Sequence, residues 1–391
     1  MIAVDFAVDP LHEEIRYAIR KVCQGFPDEY WMEHDESKEF PWEFYKAVVA
    51  GGWLGLTIPV EYGGGGLGVT EAAIVELEIS ASGAGMGGCT SVHIGIFGFE
   101  SMIKHGSEQL KQRWLPRAAS GDLHVSFAVT EPDAGTDTTN ITTFARKVEG
   151  GYLISGKKVW ISKAQEAERM FLLCRTTSLA EVAKKTQGMT LFFAPLDREK
   201  VKIRRIPKMG RNAVDTNELF IEDLFVSDDD VIGEVGHGFK AILAGLNAER
   251  VISGNAALGL GRAALRRATE YAKQRVVFGR PIGQNQGIGF QLADARIRLD
   301  AADNLLQKAA WLIDHDRPHA VEANEAKFLA AEAGFHAADV AIQVHGGYGY
   351  AKEYHVERYF REARLMRIAP ISQEMVLNYM AEHVLGLPRS Y

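Results

Sequence analysis

The chain has 391 residues, 47% of them hydrophobic and 24% charged, a balance that fits a globular protein long enough for two or three domains. Its net charge of −7 gives no general attraction to nucleic acid or to an anionic membrane, both of which call for basic patches. The three cysteines, Cys23, Cys89 and Cys174, are odd in number and far apart, which argues against a disulfide framework or a zinc site and predicts reduced thiols in a cytoplasmic setting.

The opening stretch, MIAVDFAVDPLHEEIR, carries Asp5 and Asp9 and has neither a basic start nor an apolar centre, so it reads as no signal or transit peptide. No run of about twenty apolar residues is available to span a bilayer. From Pro10 to Ser120 the pattern is helical, with segments at Leu11 to Gly25, Pro41 to Gly52, Thr70 to Ser82, Cys89 to His105 and Ser107 to Ser120. Asp9-Pro10, Phe40-Pro41 and Ser107-Glu-Gln supply start signals. Ile58 to Gly68 contains four successive glycines and reads as a loop.

Near Leu123 the period changes to alternation. Strands are predicted over 124–130, 143–148, 152–161, 170–175, 189–194, 201–206 and 217–226, with a hairpin turn at Glu149-Gly150-Gly151. A block of short antiparallel strands this size predicts a barrel or sandwich. From His237 the pattern is helical again: to Lys273, then 286–315, 318–344, 352–366 and 370–385, a set that predicts an antiparallel bundle. The expected fold is therefore α+β and multidomain, with a helical N-terminal domain over 1–121, a central antiparallel β domain over 122–231 and a C-terminal helical bundle over 232–391.

The long helix expected over Gly238 to Lys273 carries one charge out of place. Phe239, Ile242, Leu246, Ile252, Ala256 and Leu260 form a buried stripe, and Glu249 falls on it. The positions three and four away are Gly245, Leu246, Ile252 and Ser253, so no basic neighbour lies along the helix. Such a carboxylate is either paired by another element or kept for chemistry with a raised pKa. On this stretch alone the structural reading is the better one.

Other motifs are open to two readings each. Gly259-Leu-Gly261-Arg-Ala-Ala264 matches a relaxed dinucleotide fingerprint, but no strand precedes it, and close helix packing explains its small residues better. Thr130 to Asp137 brings hydroxyls and backbone amides together after a strand, as a polar cofactor edge or a decorated turn. Trp160-Ile-Ser162 reads as cofactor contact or core, Gln343 to Tyr350 as a close backbone approach or a helix cap, and Arg275 to Gln286 as a phosphate site or an interhelical corner. His12, His93 and the other histidines lack metal-ligand spacing, so no metal is expected.

Taken together, FAVTEPDAGTDT at 127–138, KVWIS at 158–162, AERVISGNAALGLGRAA at 248–264, RVVFGRPIGQNQ at 275–286 and QVHGGYGY at 343–350 resemble, in order and spacing, the acyl-CoA dehydrogenases over nearly the full chain. The resemblance implies FAD as cofactor, a dimer-of-dimers homotetramer and reoxidation by an electron-transfer flavoprotein. It implies that Val129, Thr130 and Thr136 line the flavin ring or adjacent substrate, that Trp160 flanks the isoalloxazine and Ser162 gives it a hydroxyl, that Phe127, Ile371 and Gln373 also bind the cofactor, and that Thr136, Asn247 and Arg250 lie toward substrate. Arg275, Phe278, Gln286, Gln343, Gly346 and Gly347 would bind the adenine-diphosphate end, largely of a neighbouring subunit's FAD.

Most of that family carries its catalytic glutamate before a Gly-Thr-Ser segment ahead of the last helix; here that position is Ala369, within Arg367-Ile-Ala-Pro-Ile-Ser-Gln373. A smaller group, the isovaleryl and long-chain types, carries the base just before an arginine on the first bundle helix, which matches Glu249-Arg250. The resemblance thus reverses the structural reading of Glu249. The Ala369 backbone amide remains able to polarise a thioester carbonyl, and Glu374 falls inside the last helix as a helix-start acid. The implied reaction is α,β-dehydrogenation of an acyl-CoA to the trans-2-enoyl-CoA. Two alternatives are an acyl-CoA oxidase that uses oxygen and, in a different class, a nucleic-acid-binding flavoprotein on this fold, for which Arg262, Arg266 and Arg267 would be the basic cluster. His93, Phe97 and Gly98 are candidates for the acyl pocket floor.

Overall fold

A computed structural model describes residues 9–390. The opening residues that include Asp5 lie outside the described residues. In chain order the helices α1 (Pro10–Cys23), α2 (Asp28–Ser37), α3 (Trp42–Ala50), α4 (Val69–Ile79), α5 (Gly85–Phe97), α6 (Glu100–His105) and α7 (Glu108–Ala119) come first. The strands β1 (Val125–Ala128), β2 (Phe144–Val148), β3 (Gly151–Ser162), β4 (Arg169–Arg175), β5 (Met189–Pro195), β6 (Val201–Arg205), β7 (Thr216–Ser227) and β8 (Val231–Ile232) follow. Then come α8 (Gly238–Leu243), α9 (Leu246–Gln274), the hairpin β9 (Val276–Val277) and β10 (Arg280–Pro281), α10 (Gln286–Asp314), α11 (Ala320–His345), α12 (Val356–Ala363) and α13 (Gln373–Tyr379). The order helical, β, helical is the one the period changes predict.

All seven predicted strands are present, and β8 adds a two-residue eighth. The sheet order is β6-β7-β3-β2-β4-β5-β8, with β1 pairing β4. That last pair is parallel, and so is the contact of β2 with β4, which corrects the all-antiparallel expectation. Alternation alone cannot distinguish the two directions, because the side-chain period is the same in both.

Two of the three start signals read from sequence are in place, while Pro41 lies just ahead of α3 as its N-cap and not in its first turn. Asp9 accepts from Leu11 N at 2.9 Å ahead of Pro10, and Ser107 Oγ accepts from Leu110 N at 3.2 Å. Four helical expectations need correction. The stretch 89–105 is two helices, α5 and α6, because the chain turns at Gly98-Phe99, where a Cβ on Gly98 would lie 2.7 Å from Ile94 O. The stretch 238–273 breaks at Ala244-Gly245, which makes Glu249 a first-turn residue of α9 and leaves Leu246 and Phe239 half-buried. The stretch 352–366 is interrupted at His355, whose φ of 61° lies in the left-handed region, and the last helix begins at Gln373 and not Pro370. The acidic α2 has no apolar period and was not predicted as a helix; its buried residues include Trp31 and Asp35.

The chain divides into two compact units. One comprises residues up to Glu33, Gly68–Cys89 and Val251–Arg367. Its core joins Leu77 of α4 and Val251, Leu258 and Leu265 of α9 to alanine-rich faces of α10 and α11. A Cβ on Gly259 would lie 2.4 Å from Leu77 O, and one on Gly261 would lie 2.8 Å from Gly334 Cα. These glycines serve close helix packing, as the missing strand implied, and not a nucleotide phosphate. Asp28 gathers Arg267, Arg358 and the Tyr359 hydroxyl, which together hold its carboxyl below the usual range against the opposing effect of burial.

The other unit comprises His34–Leu67, Thr90–Arg250 and the chain from Ile368. Here the strand alternation builds two cores. Met170, Leu172, Phe192 and Ala194 face the interior of the β domain with Ile154, Leu219 and Ile221. Their neighbours Phe171, Leu173, Leu191 and Phe193 face Phe99, Met102, Leu110 and Trp114 of the helices. Because both faces of β4 and β5 are covered, those strands read as nearly continuous apolar runs.

Candidate active site

In the second unit, the end of β3 presents an aromatic face. Between Lys158 and Ile161 the register of β3 against β7 shifts by one residue, a β-bulge, and Trp160 sits in it with a φ of 64°. A bulge re-aims a side chain that the pleat would otherwise alternate. Trp160 is accordingly 61% exposed although Val159 and Ile161 on either side are buried. Ser162, half-buried, closes the strand opposite Thr216.

The loop after β1 is fixed from inside the sheet. Lys158 Nζ donates to Val129 O at 2.9 Å, Leu173 O at 2.7 Å and Glu131 Oε1 at 2.9 Å. Glu131 also accepts from Thr142 N at 2.7 Å, Thr142 Oγ1 at 2.9 Å and Thr143 N at 3.0 Å. Burial alone would raise the Glu131 carboxyl, but Lys158 and these donors carry it below its ordinary value. Burial lowers the Lys158 ammonium, with Glu131 opposing. The backbone joins in, with Val159 N donating to Thr130 O at 2.9 Å. Val129 and Thr130 are thus held half-buried beside Trp160's strand, and Thr136 stands exposed in the loop. Phe127 stacks on Phe171 with ring centroids 4.7 Å apart. Neither Lys158 nor Glu131 was singled out from sequence; the adjacent Lys157-Lys158 was the available signal, since a strand must turn one of two neighbours inward.

Glu249 lies in the first turn of α9, its amide donating to Gly245 O at 2.9 Å. It is half-buried: solvent still reaches it, while the protein around it removes enough water to raise its carboxyl pKa. His93 and Arg250 act against that rise through their charge. Arg250 donates to Asn247 Oδ1, and burial lowers its guanidinium pKa while Glu249 and Tyr379 raise it. His93 meets Phe97 edge-on at 4.5 Å. Ala369 and Ile371 are half-buried in the turn before α13, Gln373 is buried at its start, and Glu374 is exposed in its first turn. All these residues belong to the same unit, as do Phe127 to Ser162.

The adenine-end candidates fall in the first unit. Phe278 and Gly279, with φ of 52° and 77°, make the two-residue turn of the β9-β10 hairpin, and Phe278 is fully exposed at its tip. Arg275 lies 5.8 Å from the ring centroid of Tyr348. Gln286 opens α10, exposed, and Gln343 is exposed near the end of α11. A Cβ added at Gly346, Gly347 or Gly287 would meet nothing within 4 Å, so open space adjoins the backbone there. The basic trio is already engaged within the fold: Arg262 pairs with Asp303, Arg267 with Asp28, and Arg266 donates to Ala81 O. No group of three metal-ligating side chains occurs among the described residues.

The donor set fits FAD. An exposed flat indole beside hydroxyls suits an isoalloxazine ring, and the open glycines leave room for a backbone approach by phosphates. A helical domain, a β domain and a helical bundle carrying such a set define an FAD-dependent flavoenzyme. The sequence matches the acyl-CoA dehydrogenase N-terminal domain over residues 9–122, the middle domain over 126–224 and the C-terminal domain over 236–385. The chain belongs to the acyl-CoA dehydrogenase family. It is 37% identical to acyl-CoA dehydrogenase FadE12 of Mycobacterium tuberculosis, over 100% of both chains. Butyryl-CoA dehydrogenase from Megasphaera elsdenii superposes with a TM-score of 0.92 at 28% identity, covering 97% of this chain and 100% of that one. A chain from a structural study of the electron-transferring flavoprotein of Acidaminococcus fermentans superposes equally well, at 0.92 and 28%, covering 97% and 99%.

Proposed function

We propose that this acyl-CoA dehydrogenase removes the α- and β-hydrogens of a saturated acyl-CoA to give the trans-2-enoyl-CoA, with Glu249 as the base. The carrying observation is Glu249 itself, a half-buried carboxyl with a raised pKa, in a chain whose loop before α13 offers Ala369 and no acid at the aligned position. FAD, when bound, accepts the β-hydrogen as hydride. Glu249 takes the α-proton onto a carboxylate oxygen, and the electron pair left behind forms the double bond as the hydride departs. The Ala369 amide donates to the thioester carbonyl, where negative charge grows. Trp160 would cover the flavin ring and exclude water, Thr130, Thr136 and Ser162 would supply hydroxyls to it, and Asn247 with Arg250 would orient the substrate side of α9. Ile371 and Gln373 complete the flavin contacts.

The remaining candidates, Arg275 through Gly347, would hold the adenine-diphosphate end across subunits of a dimer-of-dimers tetramer. The full exposure of Phe278, with Phe290 and Ile297 also exposed, supports such burial by a second copy. Reoxidation by an electron-transfer flavoprotein is supported by the likeness to the Acidaminococcus chain. Three buried free thiols support a cytoplasmic location, and no described helix is long and apolar enough to cross a membrane.

The test is to mix purified holoenzyme anaerobically with a panel of saturated acyl-CoAs and follow flavin absorbance for wild type and Glu249→Gln. The variant should keep FAD and bleach about 10²–10⁴-fold more slowly. Bleaching at the wild-type rate would remove Glu249 as the base. Rapid reoxidation on admitting air, with peroxide formed, would make the protein an oxidase.

A further inference from the structure

Arg211 belongs to none of the motifs the sequence singled out, yet its guanidinium collects three hydroxyls from three elements. It donates from Nη2 to Ser162 Oγ at 3.1 Å and to Thr216 Oγ1 at 3.1 Å, and from Nη1 to Thr90 Oγ1 at 3.4 Å. Ser162 ends β3, Thr216 opens β7 opposite it, and Thr90 is on α5. The segment that carries Arg211 is itself pinned: Asn212 N donates to Asp35 Oδ1 at 3.0 Å, and Lys208 Nζ donates to Arg211 O. Arg211 holds a φ of 58°, and Trp160 and Lys163, on either side of Ser162, hold 64° and 63°. Left-handed backbone at three non-glycine residues around one serine is costly and persists where the surroundings enforce it, commonly at functional sites.

We infer that Arg211 is a positioning residue for flavin chemistry, acting through Ser162. That role of Arg211 rests on the proposed one of Ser162 as a flavin-facing hydroxyl. A guanidinium only donates, and a serine hydroxyl has one proton and two lone pairs. The Ser162 oxygen is occupied in accepting from Arg211, so its proton is directed away from Arg211 and is left to donate into the site. The cation also polarises that hydroxyl, which makes it a stronger donor to a ring that gains negative charge on accepting hydride. Arg211 thus favours the reduced flavin without touching it.

The experiment is a double-mutant cycle on holoenzyme with Arg211→Met, Ser162→Ala and the pair, reading the flavin reduction potential by anaerobic dye equilibration and FAD retention by flavin fluorescence. Arg211→Met should retain FAD and shift the reduction equilibrium about tenfold toward oxidised flavin, about 30 mV for a two-electron couple. Ser162→Ala should do the same, and the pair should add little further. Arg211→Lys, which keeps the charge, should restore part of the shift. If Arg211→Met yields no folded holoenzyme, Arg211→Gln takes its place in the cycle. A shift in Ser162→Ala with none in the Arg211 variants, or fully additive shifts, overturns the role of Arg211 and leaves Ser162 standing. An unchanged potential in Ser162→Ala overturns both that role and the reading of Ser162 on which it depends.

Discussion

Lys158 Nζ and Glu131 Oε1 meet at 2.9 Å within the β domain, both side chains almost wholly out of solvent. Two charges so placed are tolerated because their hydrogen bonds are filled: three acceptors around the ammonium, and three donors besides Lys158 around the carboxylate. Their contact fixes the start of the Thr130-to-Asp137 loop relative to the strand that carries Trp160. The pair therefore sets the spacing between two groups of proposed flavin contacts.

Breaking one side of that pair should cost far more than breaking both. Lys158→Met strands the Glu131 carboxylate in the interior, a loss of about 3–5 kcal/mol, and should lower Tm and loosen FAD. Adding Glu131→Gln removes the stranded charge and should recover part of the loss, a non-additivity of about 0.5–3 kcal/mol. Thermal melts of the two single variants and the pair, with flavin release followed in parallel, check this. Additive losses would show the two charges to be uncoupled.

The seven predicted strands were legible because their residues alternate between two cores, as Phe171 and Leu172 do on opposite faces of β4. Parallel pairing of β1 was not, since direction leaves no trace in a period of two. Helix existence was legible from apolar spacing, but the exact breaks were not: at Gly245 a Cβ would meet Glu100 Cβ of another helix at 3.3 Å, and at Gly98 a Cβ would meet Ile94 O one turn back at 2.7 Å. Glu249 was conspicuous because no basic residue lies three or four positions away on its helix; the cations that act on it include the adjacent Arg250 and, from α5, His93. Arg211 was illegible for the opposite reason. An arginine in a polar connection is ordinary in sequence, and only the fold brings Thr90, Ser162 and Thr216 around it.

The charge of His93 lowers the Glu249 pKa against the larger rise from burial. A base works ionised, so activity should climb with pH through the raised Glu249 pKa. Removing the His93 charge lifts that pKa further, and the acid limb of kcat/KM for His93→Ala should move to higher pH, the plateau rate being less affected than in Glu249→Gln. The pH profile of kcat/KM reports groups of the free enzyme and is the measurement to make. A limb that stays in place would show that His93 does not act on the base.

Behind the Trp160-Ser162 strand end lies a second carboxyl cluster whose effect falls on stability. Burial, then a hydrogen bond to Asp215 and its charge, push Glu166 up to about 8, while burial pushes Lys163 down to about 7. Between pH 4.5 and 8 the native Glu166 holds a proton that the unfolded chain has released, so this group makes stability fall as pH rises through that window. Lys163 acts in the opposite sense between about 7 and 10.5, where the unfolded chain holds the proton that the native lysine has lost, so its contribution rises with pH. Glu166 is therefore unopposed by Lys163 from pH 4.5 to about 7. Glu166→Gln, which keeps a donor for Asp215 without the charge, should flatten the decline of Tm between pH 5 and pH 7 by several degrees, on a scale of about 2–4 °C per kcal/mol for a domain of 150–250 residues. Parallel Tm profiles for wild type and Glu166→Gln would mean that Glu166 is ionised in the native protein across this range.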